Sequence, residues 1–476
     1  MTTALVPFAA EAPEINEAAT AFMLIAASMV LLMTPGLALF YGGMTRAKSV
    51  LNMMMMSFGA LGVVGVIYIL WGYSMSFGNL QDGTADIAGL FASPFHLFGL
   101  NGLIGADGAR LIDVFGVGVW IPEILFTGFQ LTFAVITVAL ISGAVADRVK
   151  FGTWLVFSAI WATIVYFPIS HMVWGGGLLS GAEGGLSAKL FGATDGVANI
   201  LPIDFAGGTV VHINAGIAAL VLALVVGKRA GFGKVVMRPH NVPLVMIGAG
   251  LLWFGWFGFN AGSELAADGL ASVVWLNTTA ATAAAIIGWL VVEKLRDGHA
   301  TSVGAASGVV AGLVAITPAC GALSPVGSLI LGVVAGGLSA LAVGLKYRLG
   351  YDDSLDVVGV HLVAGLWGTI GAGLLATSTG LFYGGGWQQT VLQIIIALVS
   401  LIVSGALTAL IGLGLKYTMG WRIPADAESD GIDQSEHAES GYDLGGFAAG
   451  AGRGISTQRP TVPASASAEH VEGAHA

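Results

Sequence analysis

Two short stretches of this chain carry groups that could do chemistry in an apolar setting. Residues 204–216 read DFAGGTVVHINAG and residues 353–365 read DSLDVVGVHLVAG, so both fit D-x7-H-x2-A-G. A neutral imidazole has one donor and one acceptor nitrogen. Two of them in one apolar surrounding, His212 and His361, can hold a small polar molecule or pass a proton. Burial disfavours imidazolium, so both are expected to be neutral. The alternatives are a histidine pair that bridges helices, or two metal ligands. No third ligand lies near either histidine in sequence, so neither a metal nor a cofactor is expected. Asp204 and Asp353 stand at the starts of apolar segments, where a carboxylate caps a helix or favours its positive N-terminus. At a mouth, Asp204 also has the charge to stabilise a cation without touching it.

Aromatic residues form a second group. Phe129 and Phe133 lie one turn apart in FQLTF, Trp174 ends an apolar segment within HMVWGGG, beside His171, and WFGWFGFNAGS supplies Trp253, Trp256, Phe259 and Ser263. A cation against an aromatic face gains about 0.5–2 kcal/mol, and a hydroxyl adds an acceptor. The competing explanation is the interfacial belt of any membrane protein. That explanation suits Trp120 and Trp387. It suits Phe133 and Phe259 less well, because they carry no polar handle. The methionines at 53–56 read as packing or lipid contact.

Composition says what must position these groups. The chain has 476 residues, 56% of them hydrophobic and only 10% charged, against about 25% charged in a soluble domain. It reads as an all-α polytopic membrane protein. Its 72 glycines are about twice the usual share and let membrane helices approach closely. The net charge of −10, much of it in the C-terminal tail, gives no basic footprint for nucleic acid. The single cysteine, Cys320, excludes an intrachain disulfide. The start lacks a positive n-region, so 1–17 reads as a short extracytoplasmic lead, not a cleaved signal.

A spanning helix needs about 20 mostly apolar residues. Eleven segments qualify: 18–42, 50–77, 119–144, 151–174, 204–227, 241–262, 269–293, 301–320, 324–346, 355–377 and 388–417. Basic residues follow every odd span, while the other side receives only Arg110 and Lys189. The positive-inside rule then puts the N-terminus outside and the C-terminus in the cytoplasm. With that topology, the two D-x7-H-x2-A-G stretches run in opposite directions. This is the mark of an inverted repeat, about 18–227 against about 241–377, with 388–417 as an extra helix. Each histidine lies about 12 Å along its span, so the two meet near the membrane midplane. Two facing imidazoles in one narrow path follow. Beyond the membrane domain, 18–419, the composition changes. Acids, Ser and Gly dominate 425–445, and 446–476 is an Ala/Gly/Ser/Pro-rich extension expected to be disordered.

At these residues the sequence resembles the ammonium transporter (Amt/Mep/Rh) family, bacterial Amt-type, over about 18–442. The motifs that carry it are PGLALFYGG at 35–43, FQLTFAVITVALISGAVADR at 129–148, HMVWGGG at 171–177, GKRAGFG at 227–233, PHN at 239–241, GWFGFNAGS at 255–263, TPACG at 317–321 and the two histidine stretches. The resemblance implies eleven spans, an inverted five-plus-five repeat, a homotrimer in lipid with one substrate path per subunit, and no enzyme activity. By motif position it implies recruitment of ammonium at Trp174, Ser263 and Phe133, supported by Asp204. It implies a stacked gate of Phe133 and Phe259, and a conduit lined by His212 and His361 with Trp256, Thr317 and Phe129. Electrogenic uptake at the plasma membrane is the function it implies. The region 420–442 is similar to the family's cytoplasmic tail, which docks a PII signalling protein; from composition alone it reads as a solvated acidic extension. Other readings are a Rhesus-type electroneutral channel for ammonia or carbon dioxide, an ammonium sensor signalling through the tail, and an intramembrane metalloenzyme.

Overall fold

The computed structural model describes residues 13–80, 86–106 and 108–442. The extension expected at 446–476, and all but the end of the 1–17 lead, lie outside the described residues. Among the described residues, eleven apolar helices run in order: α1 (Glu17–Met44), α2 (Ala47–Phe77), α3 (Glu123–Val145), α4 (Phe151–Trp174), α5 (Gly208–Val226), α6 (Val242–Glu264), α7 (Gly269–Asp297), α8 (Ser302–Ile316), α9 (Pro325–Leu349), α10 (Val358–Leu375) and α11 (Gln388–Thr418). Among the described residues, ten of these are long and apolar enough to cross a membrane. The exception is α8, with 15 residues, which rises about 22 Å against a hydrocarbon core of about 30 Å. Its residues from Ala306 to Ile316 are all buried. Irregular backbone beyond its end is therefore enclosed by protein and need not face lipid.

The helix starts follow local chemistry. Asn16, Asn241, Asp268, Thr301 and Ser324 each accept a hydrogen bond from a backbone N–H three residues on, which satisfies one of the orphan donors of the first turn. The third helix starts at Glu123, later than expected. Ile121–Pro122 pairs as a short antiparallel ladder with Leu111–Ile112, and Glu123 is buried, accepting from the Tyr73 hydroxyl at 2.7 Å and from Arg110.

Small residues decide which helices meet. A Cβ placed on Gly248 would strike the backbone of Phe40, and one on Gly258 would meet the Ala26 carbonyl at 2.6 Å, so α1 lies tightly on α6. The same device joins α7 to α9, where Gly332 and Gly336 sit against Ala281 and Ala285. Lipid gives helices no hydrophobic reason to associate, so close backbone contact of this kind supplies the attraction.

One end of the bundle is basic. Arg148 is fully buried. It donates to the Ser354 hydroxyl at 2.6 Å and to the carbonyls of Asp352 and Ala144 at 2.7 and 3.0 Å. Burial pushes its guanidinium down to about 10, so it remains charged at neutral pH. Beside it Arg229 pairs with Asp352 at 2.9 Å.

The segment 420–441 is ordered against this end, unlike a solvated acidic extension. It forms two short helices, Ala425–Asp430 and Ile432–His437. Their acids accept from backbone N–H groups elsewhere in the chain. Asp433 accepts from the N–H groups of Leu51 and Asn52 at 3.0 and 2.8 Å. Glu436 accepts from Phe151 N–H at 2.8 Å, and Glu428 from Ala230 N–H at 2.6 Å.

Candidate functional site

The two histidines lie on π-helical turns, Gly208–Ile213 in α5 and Val358–Val363 in α10. A π turn inserts one extra residue per turn and often marks a functional site. Each turn is preceded by the acid of its motif. Asp204 accepts from Gly207, Gly208 and Thr209 N–H and from the Thr209 hydroxyl. Asp353 accepts from Val357 and Val358 N–H at 3.1 and 2.7 Å. Both acids thus stand outside the helices they were expected to begin, four and five residues ahead of them, and hold the first turn by its free N–H groups.

The glycines at the ends of the two motifs explain how the histidines meet. A Cβ on Gly216 would come within 2.5 Å of Leu362 N, beside His361, and one on Gly365 would come within 3.1 Å of the His212 Cβ. Each motif therefore places its glycine against the histidine turn of the other. The imidazoles face at 5.4 Å between ring centres, 26° from parallel, with Nδ1 to Nδ1 at 3.3 Å. One nitrogen must donate and the other accept, so at most one of the two Nδ1 atoms carries a proton in this contact. Among the described residues, the buried His212 Nε2 has no partner.

Both histidines border a cavity of about 10 Å³, whose other lining residues include Leu37, Ile136, Leu140, Val211, Trp256, Phe259 and Val310. That volume is the lower limit for a single water-sized molecule. Trp256 stacks on His212 at 5.5 Å and 17°. Thr317 lies behind the tryptophan and is not on the cavity wall. Its hydroxyl accepts from Trp256 Nε1 at 2.8 Å and lies 3.2 Å from Asn260 Oδ1. Thr317 fixes the ring that borders this cavity.

At the mouth opposite the basic end lies a cavity of about 560 Å³, lined among others by Phe129, Gln130, Trp174, Asp204, Ser263 and Glu264. The Phe pair separates the two spaces. Phe133 and Phe259 stack at 4.1 Å and 23°, and both are buried. Phe133 meets Trp174 edge-on at 6.0 Å and Phe129 at 4.8 Å, while Phe259 lies 6.2 Å from His212. The rings of Trp174, Phe133, Phe259, His212 and His361 therefore form one line. Helical spacing makes this possible, since Trp256, Phe259 and Ser263 share one face of α6. Asp204 adds a function that its spacing did not reveal: its backbone carbonyl accepts from Trp174 Nε1 at 2.9 Å. With both carboxylate oxygens engaged by backbone and by Thr209, its side chain is placed as a support for the mouth. Gln130 and Glu264 were not singled out in the sequence. Glu264 follows Ser263 directly and was legible as an acid at the end of an aromatic helix.

A model of the Ammonium Transporter Family matches residues 21–442. An ammonium transporter of Mycobacterium bovis is 53% identical over 445 residues, covering 89% of this chain and 90% of that protein. One from Aquifex aeolicus is 43% identical over 447 residues, covering 92% and 96%. The crystal structure of Saccharomyces cerevisiae Mep2 superposes with a TM-score of 0.74 at 31% identity, covering 87% of this chain and 88% of that one. A solved sensor Amt protein superposes with a TM-score of 0.76 at 28% identity, covering 88% and 98%. A cavity-and-ring path through a bundle of apolar helices, matched along nearly its whole length to such relatives, is a multi-pass protein of the cell membrane, and the chain belongs to the ammonium transporter family.

Proposed function

We propose that this family member takes up ammonium by recruiting it in the wide cavity, removing its proton there, and passing ammonia along the line of rings. In this reading the wide cavity faces outward, the basic end faces the cytoplasm, and the helices α1–α5 and α6–α10 form an inverted repeat with α11 added. The observation that carries it is the pair of facing imidazoles behind stacked phenylalanines, at a cavity with room for one small molecule. Bare ammonium cannot enter such a space cheaply, because burying an unpaired cation costs many kcal/mol. Trp174, Phe133 and Ser263 replace part of its hydration at the mouth. Past Phe133 and Phe259 the neutral molecule is the favoured species.

The histidine contact offers the proton its own route. If the Nδ1 proton passes from one ring to the other, the donor and acceptor roles of the two Nε2 atoms exchange. A proton accepted at one Nε2 is then matched by one released at the other, and ammonia and a proton cross together as net ammonium. Transport is therefore electrogenic. Vesicles reconstituted with the protein test this: an ammonium gradient gives an inward positive current, whereas alkalinisation of the lumen without current would favour an electroneutral ammonia channel.

The same reading includes a homotrimer, with one path per subunit, and a cytoplasmic PII signalling protein as partner of the 420–445 tail. Native mass measurement in detergent tests the trimer. Capture of a PII protein by the intact chain, lost on removal of 420–445, tests the partner.

A further inference from the structure

The wide cavity and a smaller recess beside it, of about 40 Å³, bring several acids together. Asp204 and Glu264 line the cavity, and Asp113, Glu264 and Asp268 line the recess. Most of these carboxylates are committed to backbone. Asp204 holds the start of α5. Asp113 accepts from Val117 and Gly118 N–H at 3.2 and 2.6 Å. Asp268 caps α7 through Ala271 N–H at 2.9 Å. Glu264 differs. It is partly buried, and among the described residues its carboxylate has no hydrogen-bond or ion-pair partner.

A second group on the same wall is also unspent. Gln130 is 9% exposed, and among the described residues its buried Oε1 has no partner. Ser263 donates its hydroxyl proton to the Phe259 carbonyl at 2.8 Å, so its oxygen keeps lone pairs free to accept. One cavity thus has an anionic acceptor, two neutral acceptors and the rings of Trp174 and Phe129. A compact cation with several N–H donors satisfies all of them, whereas a neutral apolar solute would leave them unmet.

We propose that Glu264 is the anionic ligand of ammonium in the wide cavity, with Gln130 Oε1 as a further acceptor beside Ser263. This rests on the reading that the cavity recruits ammonium, and it names the charge that Asp204, turned to its own helix, does not present. A charge-assisted hydrogen bond is worth roughly twice a neutral one. Replacing Glu264 by Gln keeps the shape and removes the charge.

Two readouts on the full-length protein test the proposal: ammonium-evoked current in vesicles, and the rise in melting temperature that ammonium gives the detergent-solubilised protein. For E264Q the half-saturating ammonium concentration should rise about tenfold in both, with the maximal current retained, while E264D recovers part of the loss. Raising salt should weaken ammonium binding to the wild type more than to E264Q, because screening acts on the removed charge. Q130L should raise half-saturation a few-fold. Half-saturation and salt dependence of E264Q equal to those of the wild type would overturn the proposal. Wild-type protein that shows the ammonium-dependent melting shift, lost in E264Q, yet carries no current would uphold this ligand and refute the transport reading instead.

Discussion

Removing the Asp204 carboxylate should cost stability before it costs affinity. Its oxygens accept from Gly207, Gly208 and Thr209 N–H and from the Thr209 hydroxyl, at a position only 8% exposed. In D204A the hydroxyl can turn elsewhere, but four backbone donors, counting the longer contact of Val210 N–H at 3.4 Å, lose their partner. Each buried donor left unmet costs about 1–3 kcal/mol. Water from the wide cavity can reach some of them, so a total of about 3–4 kcal/mol is expected. D204N keeps one acceptor oxygen and turns an amide donor toward other donors, so it should lose about half as much. The backbone carbonyl that holds Trp174 moves with this turn, so D204A should also loosen the ring. Thermal unfolding in detergent, followed by tryptophan fluorescence, measures both effects. The expected order of melting temperature is wild type, then D204N, then D204A. A D204A protein that melts like the wild type but binds ammonium poorly would refute the capping argument and return Asp204 to the role of a cation ligand.

Three other perturbations probe different links. G216A places a methyl group against Leu362 N at 2.5 Å; overpacking of this kind costs about 1–3 kcal/mol, and ammonium flux should fall with the melting temperature as the histidines part. T317V removes the hydroxyl that accepts from Trp256 Nε1, for a loss of about 1–3 kcal/mol, with a change in buried tryptophan emission and a smaller change in half-saturation. At the basic end, burial pushes Asp352 up, but hydrogen bonding and charge from Arg229 outweigh it and hold the carboxyl below its usual range. A depressed acid contributes stability above its unfolded value of about 3.9 and loses it as pH falls through the folded value. Wild-type stability should therefore fall steeply in acid below about pH 4, and D352N should start lower and fall less.

Much of the path was legible in the sequence. The doubled D-x7-H-x2-A-G pattern pointed to facing imidazoles, and the spacing of Phe129, Phe133, Phe259 and Ser263 placed rings on two helix faces. What stayed hidden depended on backbone geometry. The π turns that carry His212 and His361 have no composition of their own, so the helix starts expected at 204 and 355 fall four and three residues early, and Asp204 falls inside its expected span. The contact of Trp174 with the Asp204 carbonyl uses backbone, which no side-chain pattern records. Thr317 sits one hydrogen bond behind the wall because Trp256 fills the space in front of it. Glu264 was legible as an acid after Ser263, but that its carboxylate is uncommitted shows only once the hydrogen bonds of Asp204, Asp113 and Asp268 are known. The tail looked solvated because its acids were counted as charges; in the structure Asp433 and Glu436 meet N–H groups at the starts of α2 and α4.

The central claim is that the facing histidines carry ammonia and its proton together. Current recorded from vesicles containing the H212A/H361A double variant, beside the wild type at equal protein content, tests it most directly. The account predicts an ammonium-evoked current in the wild type and none in the double variant, with the variant still folded by its melting curve. An undiminished current in the double variant would contradict it.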